Sequence, residues 1–141
     1  KYNKLSYGGQ KNLGSKIYPF YNDIVHPNNK YQKVNRFNGN IVLISNAAQK
    51  KIGFINKNLT HIAGDIEYGI RATNLKIPIL LCPRFQGRCE NDLKFNLFKD
   101  YYTGKKLIKS YYVLTKKYGG FLWILHFLSA LLNSLKIFKL K

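Results

Sequence analysis

The 141-residue chain has no methionine, two cysteines, one tryptophan and six acidic residues against 24 lysines and arginines. A translated reading frame opens on methionine, so a mature product or a fragment of a longer polypeptide is expected. Cys82 and Cys89 are too few for a disulfide framework or for a zinc site, which takes four N or S ligands, and they read as two reduced thiols. Residues 1–16 are polar and glycine-rich, without the apolar stretch of a secretory signal. No Walker-type phosphate loop and no nucleophile elbow occurs. His26, His61 and His126 lack metal-ligand spacing, so no metal site is expected within the chain. No repeat of fixed period appears.

Hydrophobic residues make up 45% of the chain, enough for a core, and exclude disorder throughout. The formal charge of +18 favours anionic partners: nucleic acid, an anionic membrane or a phosphorylated ligand. Arginine, whose fork reads bases and phosphates, occurs only at Arg36, Arg71, Arg84 and Arg88. The excess is lysine, and the accompanying Asn, Ile, Tyr and Phe share its AT-rich codons. No specific nucleic-acid partner is therefore expected, and lipid or nucleotide phosphate is the preferred counter-charge.

Residues 1–36 read as irregular, with Tyr7-Gly8-Gly9 and Asn12-Leu13-Gly14 as turns. Ile41-Val42-Leu43-Ile44, after Asn38-Gly39-Asn40, reads as a buried strand. Ser45 or Asn46 can cap a helix through Ile52, stopped by Gly53. Asp65–Leu75 has helical spacing with an apolar side, and Ile77–Leu81 reads as a second strand ended by Pro83. Strand, helix, loop, helix, strand is an α/β order. Asp100–Lys117 reads as basic helix, followed beyond Gly119-Gly120 by an uncharged apolar stretch.

Because acids are scarce, Asp65 and Glu67 stand out. At the start of a helix, Asp65 meets the positive end of the dipole, which holds it ionised and able to take a proton from a hydroxyl. Arg71 stands at i+4 from Glu67 and can pair with it. Spacing alone is equally met by a plainer arrangement, in which Asp65 caps the helix and Glu67–Arg71 is a surface pair worth a few tenths of a kcal/mol.

Three segments in order carry a resemblance: Phe37-Asn38-Gly39-Asn40-Ile41-Val42-Leu43-Ile44, then Lys51-Ile52-Gly53, then His61-Ile62-Ala63-Gly64-Asp65-Ile66-Glu67-Tyr68-Gly69-Ile70-Arg71-Ala72. Together they resemble the second half of a family 2 glycosyltransferase of the GT-A fold. Tyr7-Gly8-Gly9 and Gly119-Gly120 with Trp123 resemble flanking parts of one bacterial subgroup. The resemblance implies an α/β, Rossmann-like domain lacking its N-terminal nucleotide-binding half, with residues 1–99 its C-terminal half and residues 100–141 a basic and apolar helical tail. It implies inverting transfer from a nucleotide-sugar donor to a glycan or lipid-linked acceptor in cell-surface polysaccharide synthesis. Asp65 falls at the general base, Gly39 and Asn40 at the turn near donor sugar and acceptor, Glu67 and Arg71 on the acceptor side, and His61 just before the motif. The family's usual Glu-Asp pair is here Gly64-Asp65. Its metal-binding Asp-x-Asp is missing, so a divalent cation, Mg or Mn, belongs to the full-length enzyme, and this chain alone is expected to be inactive.

The uncharged stretch 118–135 is at the lower limit for a span, and His126, Ser129, Asn133 and Ser134 argue against one. The flanking lysines suit an interfacial helix on an anionic membrane surface, and the other arrangement is a helix packed on the domain. The implied location is cytoplasmic, peripheral at the inner face of the membrane. The competing functional reading is a non-catalytic basic module that binds anionic membrane or nucleic acid.

Overall fold

The computed structural model describes residues 5, 7–12, 22–38, 41–59, 64–87 and 101–139, the backbone alone at 22, 101–107 and 133–139. Four short strands come first: β1 (Gly8–Asn12), β2 (Asn22–Ile24), β3 (Gln32–Val34) and β4 (Arg36–Asn38). Two helices follow, α1 (Asn46–Ile52) and α2 (Gly64–Asn74), then β5 (Ile79–Leu81) and two longer helices, α3 (Tyr101–Tyr118) and α4 (Trp123–Lys139). The strands form two small antiparallel sheets, ordered β2-β1-β4 and β3-β5.

The first sheet comes from the stretch that reads as irregular. Gly8 and Gly9 look like turn residues, yet they lie in β1, with Gly9 opposite Phe37 of β4. Glycine here serves close approach: a Cβ on Gly9 would sit 2.8 Å from Cγ1 of Val34. Asn35 is the corner where the chain leaves one sheet for the other. Its N–H donates to the Gln10 carbonyl at 3.0 Å, and its own carbonyl accepts the Thr73 hydroxyl at 2.5 Å.

The expected strand over Ile41–Ile44 is not formed. These residues are without regular structure and exposed, Leu43 at 98%. A strand needs a neighbour for its backbone donors and acceptors, and the described strands pair elsewhere. The actual strand lies earlier, at Arg36–Asn38, where β1 supplies the ladder.

Both core clusters are built on α2. One side carries Ile70 against Leu59 and Leu114, with Ile66, Val113 and Tyr118 packed around them. The other carries Tyr68 and Ala72 against Ile52, with Phe37, Ala48, Ile77 and Ile79. Between them Gly69 lets α2 rest on the β4 backbone, since a Cβ there would meet the Arg36 Cα at 3.0 Å. Local signals set α1 as expected: the Ser45 hydroxyl accepts the Ala48 N–H at 3.2 Å, and Gly53 closes the helix at φ 83°.

A single 3-10 turn, Gly120–Leu122, joins α3 to α4. Tyr112 of α3 meets Trp123 and Phe127 of α4 edge-on, with ring centroids 5.6 and 5.9 Å apart. The two glycines of this corner do different work. A Cβ on Gly119 would fall 2.5 Å from the Thr115 carbonyl oxygen and 2.9 Å from the Trp123 Cα, whereas Gly120, at φ 60°, faces open space. Gly119→Ala is expected to cost about 2–3 kcal/mol through the forced backbone shift. Gly120→Ala should cost only about 1 kcal/mol, the strain of a left-handed residue. Urea unfolding followed by the fluorescence of Trp123 measures both, and equal losses would contradict the assignment.

Candidate active site

Helix α2 carries three of the residues singled out from the sequence: Asp65, Glu67 and Arg71. Gly39, Asn40 and His61 lie outside the described residues. Asp65 is the second residue of α2 and half-buried, and its Oδ1 accepts the N–H of Ile66 at 2.8 Å. Two helical residues advance the direction by about 200°, so Asp65 and Glu67 point to nearly opposite sides of the helix.

Glu67 points inward and is 1% exposed. Its Oε2 accepts from Arg71 Nε at 2.9 Å, and its Oε1 accepts from Lys117 Nζ and from the Tyr118 hydroxyl, both at 2.9 Å. Arg71 also donates to the backbone carbonyls of Ile52 and, at 2.7 Å, of Phe54, and its guanidinium lies 5.0 Å from the Tyr68 ring centroid. The i,i+4 pair of the sequence is thus present, but as the buried centre of a cluster that ties α1, α2 and α3 together. Burial alone pushes the Glu67 pKa up; the hydrogen bonds from Lys117, Tyr118 and Arg71 outweigh it, and the net position is below the ordinary carboxylate value. Glu67 in turn holds Lys117 above its usual range, with Tyr118 adding to the effect. Tyr118 is raised, chiefly by burial.

The two acids thus have different surroundings. Glu67 is buried and accepts three hydrogen bonds, from Arg71, Lys117 and Tyr118. Asp65 is the less buried carboxylate of the two, on the first turn of α2. Asp65-Ile66-Glu67 therefore does not fit a chelating acid-x-acid pair: the two side chains diverge, and Glu67 already faces two cations. Among the described residues no group of three or more His, Cys, Asp or Glu could hold a metal ion. Cys82 is exposed and unbridged.

Sequence reasoning missed Lys117 and Tyr118. They stand 50 and 51 residues from Glu67, a separation at which spacing carries no signal.

No family model matches the chain, and no curated protein or solved structure matches it either.

Proposed function

We propose that these residues form the acceptor-side part of an inverting, nucleotide-sugar-dependent glycosyltransferase of GT-A type, with Asp65 as the general base. The observation that supports it is the seating of Asp65: a half-buried carboxylate on the first turn of an eleven-residue helix, held in place by the Glu67 cluster on the opposite side. The acceptor hydroxyl would give its proton to Asp65 while its oxygen attacks the anomeric carbon. The bond from that carbon to the phosphate oxygen breaks, and its electron pair leaves with the nucleoside diphosphate. Glu67 and Arg71 fix α2 through their shared cluster. The divalent cation of such enzymes would be held by Asp-x-Asp residues beyond this sequence. The exposed Ile41–Ile44 run suits a segment covered by another part of a larger domain.

The polypeptide encoded by the complete reading frame, incubated with Mg or Mn and a panel of nucleotide sugars plus glycan or lipid-linked acceptors, is expected to release nucleoside diphosphate and form a product of inverted anomeric configuration. Retention of configuration, or no consumption of any donor, would overturn the proposal.

A further inference from the structure

The outer face of α4 is uncovered and apolar. Phe121 in the 3-10 turn is 90% exposed, and Ile124, Leu125, Leu128 and Leu132 are exposed on the helix that follows. At i, i+1, i+4 and i+8 the last four fall within about 100° of arc and form one stripe. The opposite side of α4, with Trp123 and Phe127, is already used against α3. The stripe is thus a second apolar face on a helix that has spent its first one on packing.

The exposed residues and charge of the neighbouring helix narrow the occupant. On α3 the exposed residues Ile108, Lys109, Tyr112 and Lys116 repeat the same spacing. Tyr112 packs edge-on against Trp123 and Phe127 of α4, and its hydroxyl accepts from Lys116 Nζ at 3.1 Å. Residues 101–141 hold eight lysines and no aspartate or glutamate. A protein partner would need an apolar groove rimmed by acids, and a second copy of this chain would set lysine against lysine. A nucleic acid would leave five large apolar side chains unused, and arginine is absent from this region. An anionic lipid bilayer satisfies both features, with acyl chains for the stripe and headgroups for the lysines. α4 has 17 residues, fewer than the ~20 needed to cross, and no helix among the described residues is long and apolar enough to span a membrane.

We infer that the α3–α4 hairpin docks in the plane of an anionic membrane surface, with Phe121, Ile124, Leu125, Leu128 and Leu132 in the acyl boundary and Lys109 and Lys116 at the headgroups. The inference stands apart from sugar transfer, and its test does not read activity.

The 141-residue chain is mixed with phosphatidylcholine vesicles with or without about 30% phosphatidylglycerol and sedimented. Binding to the anionic vesicles is expected, with little to neutral ones and a steep loss between about 50 mM and 500 mM salt. Leu125→Glu/Leu128→Glu changes two exposed side chains, so the circular dichroism of the free protein should be unaltered while partitioning falls about 100-fold. Lys109→Gln/Lys116→Gln should lower anionic binding about 10- to 30-fold and leave neutral binding unchanged. Phe121→Trp provides a local readout, a blue shift of emission on anionic vesicles. Equal binding to neutral vesicles, binding indifferent to the leucine pair, or binding to single-stranded RNA with none to vesicles would each overturn the inference. A dimer that falls to monomer in the leucine variant, without vesicle binding, would assign the stripe to a second copy instead.

Discussion

Asp65→Asn is expected to lower sugar transfer by the full-length protein about 10²- to 10⁴-fold, the usual contribution of a positioned general base. Donor affinity should stay nearly constant, because the substitution removes a proton acceptor and leaves side-chain volume unchanged. Asparagine keeps an oxygen for the Ile66 N–H, which Asp65 accepts at 2.8 Å. The lost charge at the helix end is expected to cost about 0.3–1 kcal/mol of fold stability. The decisive comparison is kcat against thermal midpoint. A small shift in midpoint with near-normal turnover would reduce Asp65 to a helix-end charge. A collapse of kcat with an unchanged donor dissociation constant identifies the base. Glu67→Gln is the matched control: it sits two residues away, on the other side of the helix, and should act through stability before it acts on chemistry.

The second large effect is on the fold itself. Glu67→Ala is expected to destabilise the chain by about 3 kcal/mol, since removing one member of a buried charged cluster strands its partners. Arg71→Ala should cost about 2 kcal/mol, because it unpairs the carbonyls of Ile52 and Phe54 as well as one oxygen of Glu67. Lys117→Ala should cost under about 1 kcal/mol, because that side chain is 48% exposed and regains water easily. The order Glu67, Arg71, Lys117, read from urea midpoints, checks the geometry; a cost at Lys117 equal to that at Glu67 would contradict it.

The same cluster sets a pH dependence whose sign follows from the shifts. The Glu67 pKa is lowered in the folded chain, so its stabilisation is present above the ordinary carboxylate value of 4.5 and fades as pH falls through the lowered folded value. The Lys117 pKa is raised, so its part is complete below 10.5 and is lost as pH rises through the raised value. Tyr118 is raised from 10.0 and is lost in the same direction as Lys117, so the cluster's contribution is flat between 4.5 and 10.0. Glu67→Gln should remove the acid limb of the stability profile, and urea midpoints between neutral pH and about pH 3 measure the difference.

The clearest local features were readable directly. The Ser45 cap, the Gly53 stop, the α2 span and the long basic α3 follow from short-range rules in which each signal and its target lie within a few residues. Asp65 and the Glu67–Arg71 pair were legible for the same reason. The β1–β4 ladder was not, because Gly8-Gly9 has the composition of a turn and becomes strand only when Val34 and Phe37 come close. Ile41–Ile44 failed in the opposite direction: its apolar content is right for a buried strand, but no described strand lies beside it.

By itself, then, the sequence determined the helical spans of α1, α2 and α3, that acids are rare, with two of the six on the first turn of α2, and that the charge of 101–141 has one sign. Only the tertiary structure decided that Glu67 faces inward to Lys117 and Tyr118 while Asp65 stays half-buried, and that α4 uses one apolar side on α3 and leaves the other exposed. The physical reason is range. Helix and cap signals act over one or two turns, whereas the partner of a buried carboxylate 50 residues away is chosen by how the helices pack.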